Sequence, residues 1–265
     1  MTPIAVTIAG SDSGGGAGIQ ADLKTFAALG VYGASVITAV TAQNTQGVAA
    51  IHDVPPHVIA AQIDALFSDL AVNAVKIGML SVPLAIGTVA AGLDRWRQAH
   101  VVLDPVMVAT SGDRLLAPDA LALLKRDLMP RALIVTPNLH EAAALTGTPL
   151  AQNEGEMRAQ ADALIALGAK AVLIKGGHAQ SVQAVDLLVT PAAAARFSAE
   201  KIDTPNTHGT GCTLSAAIAA GLAKGAPLAE AVADAKAYVT AAIAAADELA
   251  VGRGPGPVHH FHAWW

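Results

Sequence analysis

Runs of consecutive apolar residues alternate along this chain with stretches in which apolar residues recur at every third or fourth position. The runs predict six strands, at residues 4–9, 32–40, 74–79, 101–104, 133–136 and 171–175. Because neighbouring positions within each run are apolar, both faces of these strands are expected to be covered. This pattern is typical of parallel strands in an α/β protein.

The stretches between the runs predict helices, at residues 19–26, 59–70, 83–98, 211–223 and 227–246. The region 181–198 breaks the alternation and predicts short antiparallel strands. No linker or internal repeat divides the chain. We therefore expect a single α/β domain over residues 1–265, with a mostly parallel central sheet and helices on both faces.

Composition excludes several classes of protein. The chain has 16 basic and 21 acidic residues, a formal net charge of −5, and only 3% aromatic residues. A nucleic-acid-binding face is therefore not expected. The longest uncharged stretch, 25–51, carries glycines and amide side chains that a membrane-spanning helix would not tolerate. The single cysteine, Cys212, and the lack of a signal-peptide pattern favour the reducing cytoplasm.

Polar and glycine-rich residues follow the predicted strands, where ligands bind in sheets of this type. The segment 10–18 is neither a dinucleotide fingerprint nor a phosphate loop, because the glycine spacing fails and no Gly-Lys pair exists. It is interpreted as a strand-to-helix turn or as a loop whose backbone approaches a small ligand. Asp22, in the next helix, would either face solvent beside Lys24 or accept a hydrogen bond from a ligand.

An amide-rich segment, 41–47, follows the second predicted strand. Its Gln43 offers one acceptor and two donors, which suits the edge of a heteroaromatic ring. A capped surface loop is the alternative.

Three charged residues follow later strands. Asp104 and Glu141 are carboxylates at one sheet edge, an arrangement that suits a Mg²⁺ ion that keeps most of its waters. Asn138, three residues before Glu141, also predicts a helix capping box, and the two roles are compatible. Lys175 precedes two glycines and would either reach a phosphate or be a solvated turn residue.

The segment 206–215 gives the clearest functional signal. Its small residues open an alanine-rich helix with no acid in the first turn, so backbone N–H groups and the helix dipole predict a phosphate site. Cys212 lies at this helix start, where the pKa of a thiol tends to fall. A small buried cysteine is the alternative. The histidine- and tryptophan-containing end, 258–265, predicts a docked structural or interface tail.

Together these segments resemble the hydroxymethylpyrimidine/phosphomethylpyrimidine kinases of thiamine biosynthesis, within the ribokinase-like superfamily. The resemblance is carried in chain order by AGSD, GGGAGIQADLK, AQNT, KIGML, DPVM, KGGH and HGTGCT, and it covers nearly the whole chain. It implies phosphorylation by ATP of the hydroxymethyl group of 4-amino-5-hydroxymethyl-2-methylpyrimidine, and then of the resulting monophosphate. It also implies a ribokinase-like fold and a homodimer.

The resemblance further implies a role for each site residue. Those implied near the pyrimidine are Gln43 at its edge, Asp22, Gly10, Ala17, and Met79 and Val106 against the ring. Those implied near the phosphates are Asp104 and Glu141 with Mg²⁺, Lys175 with ATP, and Gly209, Thr210 and Gly211 as an anion hole. Cys212 stands where sugar kinases of the superfamily carry an aspartate base.

Two other functions remain open at this point. A pyridoxal or pyridoxine kinase would act on a ring with the same hydroxymethyl group. A non-catalytic pyrimidine-binding module would not need Asp104, Glu141, Lys175 and the glycine-rich helix start together, so an enzyme is favoured.

Overall fold

The computed structural model describes residues 1–107, 119–177 and 182–265. Its strands within these ranges are β1 Ile4–Ala9, β2 Tyr32–Ile37, β3 Ala39–Asn44, β4 Gly47–Asp53, β5 Ala74–Ile77, β6 Val101–Leu103, β7 Ile134–Val135, β8 Val172–Lys175, β9 Gln183–Val189 and β10 Ala194–Glu200. Its α-helices there are α1 Gly18–Ala28, α2 Pro56–Asp69, α3 Pro83–Arg95, α4 Ala120–Leu123, α5 Leu139–Thr146, α6 Glu154–Ala166, α7 Thr210–Ala223 and α8 Leu228–Ala244.

Eight of the strands form one sheet, in the order β10-β9-β8-β7-β6-β5-β1-β2. The six strands from β8 to β2 are parallel, while β9 and β10 are antiparallel at one edge. Near the centre, Val6 of β1 pairs with Ala34 of β2 and Val75 of β5. The predicted mostly parallel sheet and the antiparallel strands predicted within 181–198 are confirmed. Ser181, the first residue of that range, and His178 of the KGGH motif lie outside the described residues.

Helices cover both faces of this sheet, and successive side chains of a strand enter different cores. In β1, Val6 and Ile8 belong to the core that α2, α3, α5 and α6 line. Ala5, one position away, belongs to the opposite core, with α1, α7 and α8. Burial on both sides is the physical reason that the strands are apolar at consecutive positions.

Helices α7 and α8 pack closely because the side chains between them are small. A Cβ at Gly221 of α7 would come within 2.9 Å of the Ala231 Cβ of α8. Most residues of α7 are buried, so it lies between the sheet and α8, with its first turn at the carboxyl ends of the strands. Among helices of the described ranges, none combines the length and apolar character of a transmembrane span.

The predicted strand 32–40 is wrong in its extent, because the chain leaves the sheet at Thr38. The N–H and the hydroxyl of Thr38 donate to the carbonyls of Ala9 and Met79, at 3.0 and 2.9 Å. The first of these bonds ends the pairing of β2 with β1, and the second holds Thr38 to the segment that follows β5. Strand β3 then pairs with β4 in a separate two-stranded antiparallel sheet.

The interpretation of the amide-rich segment 41–47 as a capped surface loop is wrong, because the structure places most of it in this hairpin. The register shifts between Ala42 and Gln43, which is a β-bulge. Asn44 and Gly47 then close the turn of the hairpin. The reason for the error is that the amide side chains of Gln43, Asn44 and Gln46 interrupt the apolar pattern by which strands are recognised.

A buried ion pair joins three elements of the core. Lys76 of β5 donates to both carboxylate oxygens of Asp22 of α1, at 2.9 and 2.8 Å, and neither side chain is exposed to solvent. Thr7 of β1 donates to the same carboxylate at 2.6 Å. Burial would lower the pKa of Lys76, but the Asp22 carboxylate raises it overall, so the lysine stays charged. The predicted solvent position of Asp22 beside Lys24 is wrong, because Asp22 is fully buried. The Lys24 side chain instead donates to the Gly15 carbonyl.

Substitution of Lys76 tests how strongly this pair holds the fold. Lys76→Met should lower the free energy of unfolding by about 3–5 kcal/mol, because Asp22 stays buried without its counter-ion. Urea denaturation followed by circular dichroism measures this change. The control is Arg95→Met, which removes an ion pair with Asp64 at the surface and should cost less than about 1 kcal/mol. Equal effects of the two substitutions would contradict the assignment.

Candidate active site

The carboxyl ends of the central strands and the first turn of α7 meet at one edge of the sheet. A Cβ added to Gly211 in that first turn would lie 3.3 Å from Lys175 Nζ and 3.8 Å from Asp104 Oδ2. Asp104 follows β6, and Lys175 ends β8. The structure therefore brings three of the residues singled out in the sequence into one cluster, at the sheet edge where ligands were expected.

Asp104 lies at the centre of this cluster and is almost fully buried. Lys175 Nζ is 2.8 Å from its Oδ1, Thr136 donates to Oδ1 at 3.2 Å, and Ser215 of α7 donates to Oδ2 at 3.3 Å. Burial would raise the pKa of Asp104, but the charges of Lys175 and Lys76 lower it overall. Asp104 is therefore an ionised carboxylate that ties β6 to β8 and α7.

Glu141 begins α5 beside this pair and forms the predicted capping box. Asn138 Oδ1 accepts from the Glu141 N–H at 2.9 Å, and Glu141 Oε2 accepts from the Asn138 N–H at 2.8 Å. Burial raises the pKa of Glu141 to about 7, the Lys175 charge opposes this, and the Asp104 charge adds to it. The predicted capping box is therefore confirmed, and the carboxyl group that forms it lies in the electrostatic field of Lys175 and Asp104.

The first turn of α7 has the features of an anion site. Gly209 caps the helix in a left-handed conformation (φ 80°), no side chain caps it, and no acid lies in the first turn. The first intrahelical bond runs from Thr213 N–H to the Gly209 carbonyl at 2.8 Å. The Thr210 N–H already donates to Thr207 at 3.2 Å, which leaves Gly211 and Cys212 to present their amides at the helix start.

The expected low pKa of the Cys212 thiol is wrong. Burial raises this pKa to about 11, the Lys76 charge lowers it, and the Asp22 and Asp104 charges raise it further. The backbone N–H of Gly18 hydrogen bonds to the sulfur and favours the thiolate. Burial and the two carboxylates thus outweigh the Lys76 charge and the Gly18 N–H, so the Cys212 thiol is mostly protonated at pH 7 in the free protein.

The residues expected near a ring occupy the neighbouring part of the same edge. A Cβ at Gly10 would overlap with the methyl group of Met79, so the loops after β1 and β5 are in contact. Gln43 lies on the hairpin beside the glycine-rich segment: its N–H donates to Ser13 Oγ at 2.8 Å, and that hydroxyl donates back to the Gln43 carbonyl at 2.7 Å. Val106 follows Asp104, to whose carbonyl it donates at 2.8 Å.

Asp22 occupies a different position from the other residues assigned to the ring. Its carboxylate is fully buried and bonded to Lys76 and Thr7, so it is closed to solvent in this structure. Ala17 is half-buried, and its backbone N–H donates to the Asp12 carboxylate at 2.8 Å.

Two residues of this region escaped the sequence analysis. Asp12 accepts hydrogen bonds from three amides of the glycine-rich segment, and His208 Nε2 lies 2.9 Å from the same carboxylate. An aspartate two residues before a glycine is a signal for an Asx turn, so Asp12 was detectable. The partnership with His208 spans 196 positions in the chain, and no local pattern reports it.

Comparison with known proteins decides the family. The family model of phosphomethylpyrimidine kinase matches residues 12–259. The chain belongs to this family. The hydroxymethylpyrimidine/phosphomethylpyrimidine kinase of Rhizobium meliloti is 63% identical over 265 residues, which is 100% of this chain and 99% of that protein. The resemblance found in the sequence is thereby confirmed.

Solved structures of this kinase group share the fold. An ADP complex of Bacillus subtilis pyridoxal kinase has a TM-score of 0.92 and 38% identity, over 99% of both chains. The pyridoxal kinase of Staphylococcus aureus in complex with AMP-PCP and pyridoxal has a TM-score of 0.91 and 32% identity, over 100% of this chain and 95% of that one. The fold that the family resemblance implied is therefore confirmed.

The raised pKa of Glu141 predicts a pH-dependent stability. A carboxyl whose pKa rises from 4.5 to about 7 on folding stabilises the fold at low pH, and this contribution is lost as pH rises to about 7. Between pH 4.5 and pH 8 the free energy of unfolding of Glu141→Gln should therefore gain about 3 kcal/mol relative to the wild type. Urea unfolding of the ligand-free protein at both pH values measures the difference.

Glu154→Gln is the matched control for this experiment, because Glu154 also begins a helix but is exposed. Its unfolding free energy should follow the wild-type pH dependence. A Glu141→Gln profile parallel to that of the wild type would show that Glu141 does not titrate in this range.

Proposed function

We propose that this protein transfers the γ-phosphoryl group of ATP to the hydroxymethyl group of 4-amino-5-hydroxymethyl-2-methylpyrimidine, and then to the resulting monophosphate, in thiamine biosynthesis. The observation that carries the proposal is the meeting of an acid-free helix start with Lys175 at one sheet edge. A group with charge on its equatorial oxygens is stabilised by such donors. The names of the relatives supply the acceptor.

ATP is the phosphoryl donor that this site suits. The ammonium group of Lys175 lies near the first turn of α7. Phosphate oxygens bound between this group and the helix would take over part of the interaction that Lys175 makes with Asp104. The ADP and AMP-PCP complexes of the structural neighbours support the same donor.

Mg²⁺ would be held by Asp104 and Glu141. The described residues contain no cluster of three or more possible metal-ligating side chains, so water and phosphate oxygens would complete the coordination. The fit rests on Glu141, since a buried carboxyl whose pKa is raised by burial and by Asp104 is stabilised by a nearby cation. When bound, the ion supplies positive charge to the phosphate oxygens.

The other residues of the edge would act on the acceptor. Gln43 would hold the aminopyrimidine edge, with Gly10 and Ala17 allowing close approach of the backbone and Met79 and Val106 packing against the ring. As the hydroxymethyl oxygen attacks the γ-phosphorus and the bond from that phosphorus to ADP breaks, the thiolate form of Cys212 would accept the hydroxyl proton. Gly209 and Gly211 would orient the amides that receive the transferred group, and Thr210 would add its amide once freed from Thr207.

Pyridoxal should be tested as a second acceptor, because solved structures named pyridoxal kinases match this chain with TM-scores above 0.9. Pyridoxal carries a hydroxymethyl group on a ring of similar size. The expected homodimer and cytoplasmic location remain predictions, and sedimentation velocity would test the former.

A kinase assay tests the proposed function. Purified protein is incubated with ATP, Mg²⁺ and either the pyrimidine, pyridoxal or pyridoxine, and mass spectrometry detects the products. Mono- and diphosphate of the pyrimidine are expected, and a chelator should abolish both. Turnover of pyridoxal alone would replace the pyrimidine assignment, and phosphorylation of none of these acceptors would overturn the proposal.

Gln43→Ala should raise KM for the pyrimidine by about 5- to 150-fold while KM for ATP changes little. The reason is the loss of a hydrogen bond in a buried site, which costs about 1–3 kcal/mol. Steady-state kinetics with each substrate varied in turn measures both constants. Gln46→Ala, on the same hairpin, is the control and should keep both KM values, while an unchanged pyrimidine KM in Gln43→Ala would remove Gln43 from the site.

Cys212→Ser should lower kcat at least tenfold with little change in either KM, and Cys212→Asp should keep part of the activity. A thiol with a pKa of about 11 is mostly protonated, so a base role also predicts that wild-type kcat/KM increases with pH across the neutral and alkaline range. Initial rates from pH 6 to 10 measure this slope. If Cys212→Ser keeps the wild-type kcat, the amides of the helix start carry the reaction without a base.

A further inference from the structure

The glycine-rich segment is wrapped around a single buried carboxylate. Asp12 is 2% exposed; its Oδ1 accepts from the Gly14 N–H at 2.8 Å, and its Oδ2 accepts from the Gly16 and Ala17 N–H groups at 3.0 and 2.8 Å. Burial would raise the pKa of Asp12, but the hydrogen bonds from His208 and from these amides lower it overall. The carboxylate is therefore ionised and accepts only.

His208 contacts the same carboxylate from the other side of the site. Its Nε2 lies 2.9 Å from Asp12 Oδ2, and the residue is 7% exposed. Because the carboxylate can only accept, Nε2 of the imidazole carries the proton in this bond. His208 directly precedes Gly209, so the bond links the glycine-rich segment to the start of α7.

Backbone packing makes this link close. Gly209 has a φ of 80°, and a Cβ there would overlap with the Gly16 carbonyl oxygen. A Cβ at Gly16 would in turn overlap with the imidazole of His208. Two glycines are therefore required where the two segments touch, and the Asp12–His208 pair fixes the contact.

The C-terminal segment holds the backbone of His208 from outside. The His208 N–H donates to the Gly256 carbonyl at 3.0 Å, and the His208 carbonyl accepts from the Val258 N–H at 3.3 Å. These bonds leave the ring directed inward, toward Asp12. The predicted docked tail is thus found in the structure, and it supports the residue that precedes the anion site.

We propose that Asp12 and His208 are positioning residues for phosphoryl transfer, because they fix the first turn of α7 against the glycine-rich segment. Their effect would pass through Gly209 to the amides of Gly211 and Cys212. This inference rests on the proposed function. It predicts that the pair governs kcat, which depends on the orientation of these amides, and leaves the binding of either substrate largely unchanged.

Asp12→Asn and His208→Leu test the proposal. Asp12→Asn replaces one of the two carboxylate oxygens, which accept hydrogen bonds from backbone N–H groups, by an NH₂ group that cannot accept. His208→Leu removes the N–H donor of the imidazole. We expect kcat to fall ten- to a hundredfold in each variant, with KM for ATP and for the acceptor within threefold of the wild type. His208→Gln, which keeps a side-chain N–H donor, should recover a large part of kcat.

The double variant Asp12→Asn/His208→Leu completes the cycle and should turn over no more slowly than the slower single variant. The control is Asp64→Asn, because Asp64 of α2 also joins two elements, through Arg95 of α3 and Trp96 directly after it, but lies outside the site. Its kcat should be unchanged. Should Asp12→Asn fail to fold, His208→Leu and His208→Gln decide the question alone.

Hydrogen–deuterium exchange of the ligand-free protein provides a readout that does not depend on the substrate. Amides 209–213 should exchange faster in His208→Leu than in the wild type, with other helices unchanged. Unchanged exchange, an unchanged kcat, or a loss confined to KM would each overturn the positioning role. An inactive wild type would contradict the proposed function instead, and the exchange result would still show whether the pair fixes the helix start.

Discussion

The pairing of buried carboxylates with buried lysines is the constraint on which the rest of the site depends. Asp22 and Asp104 have almost no contact with water, and an isolated carboxylate there would be neutral. Lys76 and Lys175 lie within 2.9 Å of them and oppose this loss of charge: the pKa of Asp104 falls overall, whereas burial still raises the pKa of Asp22 against the charge of Lys76. Each pair joins different strands and helices. The contacts that compensate for the buried charges therefore also hold together the sheet edge at which α7 begins.

Two ionisable side chains near these pairs form no ion pair of their own with a lysine, and burial raises their pKa values. The pKa of Glu141 rises to about 7 and that of Cys212 to about 11, burial being the largest cause in both. The two lysines are already matched by two carboxylates, so little positive charge is left over for a triphosphate. A site with this balance needs an added cation when phosphate enters, which is the physical reason for assigning Mg²⁺ to Asp104 and Glu141.

Much of this architecture could be predicted from the sequence because its signals are local. Strands buried on both faces and the Asn138–Glu141 capping box are read from neighbouring residues, and so is the acid-free start of α7. The errors concern contacts between distant segments. The hairpin of Gln43 depends on Thr38 leaving the sheet, and the pKa of Cys212 depends on Asp22 and Asp104, which only the fold brings near.

In the proposed function, the residue that holds the pyrimidine edge and the residues that bind phosphate lie on different parts of the fold. Lys175, Asp104 and the start of α7 belong to the large sheet and its core, whereas Gln43 belongs to a separate two-stranded sheet. The hairpin is joined to the glycine-rich segment through Ser13, so the two parts meet without sharing strands. Because Gln43 and the Asp104–Lys175 pair belong to different parts of the fold, we expect substitutions in the hairpin to change acceptor binding while this ion pair stays in place.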